Sequence, residues 1–344
     1  MSEASHGLPF EAPPARLVSS GAQRYGRFTQ PPQRANLLDA RYLGLPRLLR
    51  RARLKEWQAV QLSSEQVFMN VALFDAKLLG LVQVKLYDRA RGVKHVFERQ
   101  LPPGCLSLTD SLFGTRNSHQ GRGVQLSFDN RLDVGRIHVV LDVAPGAGRP
   151  RITGRFSLRV AEGAPQSVSL PFARGGMYST KGMFPVSGGL TIGDHRLTFG
   201  PSDTLATLDD HKGYYPRVMR WDWFTASRFG EDGAPRGFNL TANQCRDPER
   251  YNENCLWVGD SVIALPVVRF SRSAEEWLAV SEGGEVALRF KPSVPGDVRV
   301  NAGVIESRYQ GPFGTFNGEI APRGSPRVVV RDWFGMAEDF YLRC

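Results

Sequence analysis

Residues 151–160 read RITGRFSLRV, in which Ile152, Phe156, Leu158 and Val160 alternate with Arg151, Thr153, Arg155, Ser157 and Arg159. A period of two puts one set on each face of an extended chain, so the stretch predicts an antiparallel strand with one wet face. Residues 134–143 repeat the pattern, with Ile137, Val139, Leu141 and Val143 opposite Arg136, His138 and Asp142. Residues 285–291 do so again through Val286, Leu288 and Phe290. Turn signals fall between such runs: Ala90-Arg91-Gly92, Pro145-Gly146, Ser187-Gly188-Gly189, Gly193-Asp194, Glu231-Asp232-Gly233, Gly283-Gly284 and Pro295-Gly296-Asp297. The alternation holds from Trp57 onward and predicts many short strands with very little helix. The expected fold class is all-β, with two antiparallel barrel or sandwich halves in tandem.

Outward from this pattern, residues 1–35 are rich in Pro, Gly, Ser and Ala and predict an extended N-terminal arm. Residues 41–54 carry Leu43, Leu45, Leu48, Leu49 and Leu54 among arginines, interrupted by Pro46. This is the one amphipathic helix signal, read as a short helix packed on a barrel mouth rather than as a membrane-surface helix. No sharp linker follows. A division near residue 175 gives a first β domain over 36–175 and a second over 176–344, the second carrying the candidate site, with an interface between them.

Composition narrows the function classes. Of 344 residues, 41% are hydrophobic, enough for a sizeable core. The net charge of +10 is spread over many strands, mostly as arginine. No nucleic-acid recognition motif accompanies it, so nucleic acid is not an expected partner. No apolar run approaches the ~20 residues of a membrane span. The first residues show no apolar leader segment, so the expected location is the cytoplasm. Cys105, Cys245, Cys255 and Cys344 form no C-x-x-C and no Cys/His metal pattern, so free thiols and no metal are expected, with a Cys245–Cys255 pair left open. The six histidines are scattered. A P-loop, a Rossmann glycine fingerprint and a G-x-S-x-G elbow are all missing, so no cofactor is expected.

Polar and aromatic side chains crowd together between residues 209 and 257, where DDHKGYYP leads into RWDWF and then YNENCLW. With a strand over 217–227, Met219, Trp221, Trp223 and Thr225 share a face, a π-rich wall suited to an apolar or cationic group. Asp209, Asp210 and His211 precede the turn Gly213-Tyr214-Tyr215-Pro216. A carboxyl in an apolar pocket has a raised pKa and works as a general acid, and Asp210 is preferred to Asp209 for this role. His211 is a candidate proton partner. Asn239, Asn254 and Glu253 bring amides and a second candidate acid beside Trp257. Tyr214 completes the shelter, and Lys181 is a candidate counter-ion. Glu338, between Met336 and Phe340, is a further carboxylate placed to close the same cavity.

The motifs also carry a resemblance. KEWQ at 55–58, YSTKGMFPVSGGL at 178–190 and DDHKGYYPRVMRWDWF at 209–224 come first in order. NL at 239–240, NEN at 252–254, LW at 256–257, FGTFNGEI at 313–320 and GMAEDF at 335–340 follow. Together they resemble the bacterial family filed as domain of unknown function 2804, from about residue 30 to the C-terminus. That family supplies no settled activity. More distantly the chain is similar to two-domain lipocalin-like proteins such as the carotenoid 1,2-hydratases and tocopherol cyclases. This resemblance implies two β-barrel-like halves and an apolar ligand cavity.

Three functions fit these residues. The first is acid–base chemistry on a small apolar molecule, a hydration, cyclisation or isomerisation, with Asp210 or Glu253 as proton donor. The second is a non-catalytic carrier or sensor of a lipid-like ligand in the same cavity. The third is a carbohydrate-active protein, since paired carboxylates near tryptophans also suit sugar faces.

Overall fold

The computed structural model describes residues 9–146, 148–302 and 305–343. The first eight residues of the arm, His6 among them, and Cys344 lie outside the described residues. Nearly all regular structure is strand, built into two curled sheets in tandem.

The first sheet starts at Val93–Leu101 and passes through Gly80–Asp88, Val67–Asp75 and Lys55–Ser63 to Leu205–Gly213. It continues through Gly175–Ile192, Ile152–Arg159, Arg136–Val143 and Val124–Arg131 to Phe113–Gly121. The second runs from Ser261–Ala264 through Cys255–Val258, Pro235–Ala242, Val218–Phe229 and Val328–Arg343. It ends through Phe313–Ile320, Val286–Val294 and Trp277–Ser281 at Val268–Arg272. The expected alternation is present. Ile152, Phe156 and Leu158 join the core of the first half with Ile137, Val139 and Leu141, while Arg155 faces water.

The second half closes over Phe224, Phe238, Phe290 and Phe316, whose rings meet at 4.6–5.7 Å. Trp277 and Trp333 complete this cluster. Its interior is packed with side chains, as dense cores are.

Two expectations are corrected here. Ser187-Gly188-Gly189 is no turn: it is a bend inside the 18-residue strand Gly175–Ile192. Residues 177–185 pair with Leu205–Gly213, and residues 186–192 pair with Ile152–Arg159. Gly188 makes the change of neighbours possible: its φ is 139°, and Arg155 O crowds the place where a Cβ would stand. The change of sheet falls between Gly213 and Val218, not near residue 175. Residues 175–213 complete the first sheet because Leu205–Gly213 fills the gap between Lys55–Ser63 and Gly175–Ile192.

The arm is strapped down by Gly26–Phe28, which pairs with Ala164–Phe172. A short helix spans Arg47–Arg53 directly after Pro46, where a proline's missing N–H costs nothing. Cys105, Cys245 and Cys255 are free thiols. Among the described residues, no helix is long and apolar enough to cross a membrane.

Candidate functional site

The strand Leu205–Gly213 is buried on both faces. Ala206 and Leu208 point into the core of the first half, so Asp210 and Lys212 follow them. Leu205, Asp209 and His211 point the other way, toward the second half. Leu205 meets Cys255 and Trp257, and His211 lies beside the cluster of Met219 and Trp221. The adjacent aspartates therefore serve different places.

Between the halves, Asp209 sits opposite Lys181 on the neighbouring strand. Lys181 Nζ is 2.9 Å from Asp209 Oδ1 and 3.8 Å from Glu253 Oε2. It also lies 4.7 Å from the centre of the Trp223 ring. Burial works against the ammonium, but Asp209 and Glu253 outweigh it and raise its pKa. Trp57 Nε1 donates to Asp209 Oδ2 at 3.0 Å. Thus each oxygen of Asp209 has its own donor.

Glu253 is held differently. Its backbone carbonyl accepts from Asn239 Nδ2 and from Gln166 Nε2, each at 2.8 Å, one from each half. Asn239 Oδ1 in turn accepts from Trp223 Nε1 at 2.6 Å. Glu253 is 4% exposed, and its Oε1 accepts from Asn243 Nδ2 at 3.3 Å. Oε2 has no hydrogen-bond partner. Burial pushes this carboxyl above the usual carboxylate range, with Lys181 pulling against it and Asp209 adding to it. Ser179 also hydrogen-bonds this carboxyl and pulls its pKa down.

A stack of rings adjoins this pair. Phe340 lies 3.7 Å from Trp221, Trp221 lies 5.6 Å from Trp57, and His211 stacks on Trp57 at 3.9 Å and 5°. Tyr215 hydrogen-bonds His211 Nε2, while His211 Nδ1 has no partner. Burial, with Lys181 and Lys212, holds the His211 pKa well below its usual value, so the ring is neutral at pH 7. Glu338 accepts from Trp221 Nε1 at 2.9 Å and Tyr309 Oη at 2.8 Å, and burial raises its pKa. Trp57, Trp221 and Phe340 keep part of their surface open although they lie between two sheets. They wall a recess. Two surface hollows of about 550 and 500 Å³ lie elsewhere and are not lined by this cluster.

Of the residues singled out from sequence, Lys181, His211, Trp221, Trp223, Asn239 and Glu253 meet between the halves. The aromatic wall faces the first half, not the interior of a barrel, because Phe224 and Phe238 already fill that interior. Asp210 and Tyr214 lie apart from the cluster. Asp210 is 3% exposed and shares the polar end of the first core with Lys212 and Glu56, whose charges meet at 3.3 Å. Tyr214 packs with Leu17, Phe28 and Tyr178 under the arm. Asn254 is scaffold: its side chain accepts from Thr241 N at 2.7 Å and donates to Pro266 O at 2.9 Å. Trp257 is fully buried against Met183 and Leu205. Sequence reading missed Trp57 and Tyr215 and undervalued Asp209. The signal for Asp209 was its two-residue spacing from His211. For Trp57 it was the strand's own alternation: Val60 and Leu62 mark the core face, which leaves Trp57 on the other. Arg27 was missed as well. It reaches from the arm to the Asn252 carbonyl at 3.1 Å and to Asn252 Oδ1 at 2.6 Å, pinning the loop that carries Glu253.

Among the described residues, no group of His, Cys, Asp and Glu side chains has a metal-binding arrangement. The family model described as Domain of unknown function (DUF2804) matches residues 17–343. No curated protein matches the sequence. Among solved structures, the chain is similar to CghA at 13% identity and a TM-score of 0.53, covering 98% of this chain and 97% of that one. It also aligns with kievitone hydratase from Nectria haematococca at 13% identity and a TM-score of 0.47, covering 83% of this chain and 88% of that one. At such identities the likeness to CghA shows the two-half β fold alone.

Proposed function

The chain belongs to the family described as Domain of unknown function (DUF2804), and on that premise we propose that it is an acid–base enzyme. Its substrate is a mostly apolar small molecule held against the partly open rings of Trp57, Trp221 and Phe340 between the halves. The reaction is a hydration, cyclisation or isomerisation begun by proton transfer from Glu253.

The observation that carries this reading is the buried Glu253 carboxyl, whose Oε2 has no hydrogen-bond partner and faces the Lys181 ammonium at 3.8 Å. Protonated Glu253 hands its proton to a substrate double bond or oxygen. The resulting carboxylate is stabilised by Lys181, already fixed by Asp209. Water then adds and returns its spare proton to Glu253, or a neighbouring C–H loses a proton to the same carboxylate. Asn239 and Gln166 act as positioning residues through the Glu253 carbonyl.

The test is incubation of the protein and of Glu253→Gln with the apolar small-molecule fraction of the native cell in D2O, followed by mass spectrometry. We expect a compound that gains deuterium or water with the parent protein, slowed by about 10²–10⁴-fold in the variant. A compound retained unchanged by both proteins makes this a carrier and overturns the proposal. So does the lack of any bound or altered apolar compound, which returns the question to carbohydrates.

A further inference from the structure

The helix Arg47–Arg53 has no buried residue, an unusual state for an element inside a folded chain. Leu48 and Leu49 are 78% and 51% exposed, among Arg47, Arg50, Arg51 and Arg53. The helix leads directly into the strand Lys55–Ser63, whose Glu56 pairs with Asp75 and whose Lys55 Nζ donates to Ala76 O at 2.7 Å. That register brings the turn over 76–79 to the same end of the sheet, and its Leu78 is 58% exposed.

Beside the helix is the hollow of about 550 Å³. Arg16, Arg41, Arg47 and Arg50 line it against one acid, Asp39. Asp39 is occupied by Arg16 at 3.0 Å and Arg47 at 2.9 Å. Arg50 Nε is buried and has no hydrogen-bond partner. Arg41 lies across the hairpin turn at Gly21, where a Cβ would come within 2.7 Å of its stem. The hollow is thus a built cationic cup with donors to spare.

We propose that this end of the first half docks on an anionic lipid bilayer, with the arginine-lined hollow taking a headgroup phosphate or carboxylate and Leu48, Leu49 and Leu78 entering the interface. Charge and apolar surface decide the occupant together. A nucleic acid satisfies the arginines but leaves three leucines in water. A second copy of this chain buries the leucines but sets arginine against arginine. An acidic membrane surface satisfies both requirements.

The test is sedimentation of the full chain with phosphatidylcholine vesicles, with and without phosphatidylserine, at low and physiological salt. We expect binding to the acidic vesicles alone, weakened by salt as surface charges are screened. Arg50→Gln, Arg51→Gln and Arg53→Gln should each weaken it by about fivefold. The triple variant Leu48→Ser, Leu49→Ser, Leu78→Ser should weaken it by about tenfold or more. All these side chains except Arg50 are exposed, and a thermal melt followed by circular dichroism verifies that each variant folds. Equal binding to neutral vesicles, or no loss in the leucine variant, overturns the proposal. Binding of inorganic phosphate or RNA without recruitment to vesicles also overturns it.

Discussion

Asp209 and Asp210 are neighbours in sequence, yet one is neutralised between the halves and the other is buried in the first core. Burial raises the Asp210 carboxyl from 3.8 to about 6, with Lys212 opposing and Asp209 and Glu56 adding. Between these values the folded state holds a proton that the unfolded chain has released. Stability therefore falls as pH rises through that window, and the loss persists above it. Asp210→Asn removes this dependence, and at pH 7 it also takes one of two carboxylates from the buried Lys212. Urea unfolding at the two ends of the window measures it, and an unchanged pH slope would show that Asp210 is not desolvated. The sequence located both aspartates but not their faces. On one side of the strand stand Leu205 and Thr207, on the other Ala206 and Leu208, so polarity marks neither face as wet. Glu253 was legible for a different reason. A carboxylate between two asparagines has no apolar pattern to follow, and its burial then requires partners.

At the scale of the element, periodicity exposed the strands but not their pairing. The clearest case is Gly175–Ile192, which serves two sets of neighbours by bending at Gly188. A Ser-Gly-Gly triplet is a turn signal in most chains. Here the glycine's positive φ keeps the strand in the sheet while redirecting it. Gly188→Ala places a Cβ against Arg155 O and Phe156 Cα and demands a backbone conformation that L-residues avoid. We expect a loss of about 3 kcal/mol or more, read as a lower denaturation midpoint with unchanged slope. Gly92→Ala, in an open turn where a Cβ meets nothing, is the control for positive φ without crowding, and should cost roughly 1 kcal/mol.

At the scale of the whole molecule, Lys181 belongs to the first sheet while one of its two carboxylates, Glu253, belongs to the loop feeding the second. Its charge therefore helps to hold the halves together. Lys181→Met leaves the buried Asp209 without its nearest cation. The expected cost is about 3–5 kcal/mol. We also expect one urea transition in the parent protein and two in the variant. A variant that unfolds in one step at the parent's midpoint would show that the apolar contacts alone couple the halves.

The insertion of Leu205–Gly213 between Lys55–Ser63 and Gly175–Ile192 sets the conditions under which the chain can be made. Until residue 213 has been synthesised, two long strand edges wait without their shared neighbour. Pairing across such distances along the chain is slow, and waiting edges are templates for wrong partners. We expect refolding of the full chain from urea to be slow and to lose yield as protein concentration rises, which light scattering during dilution measures.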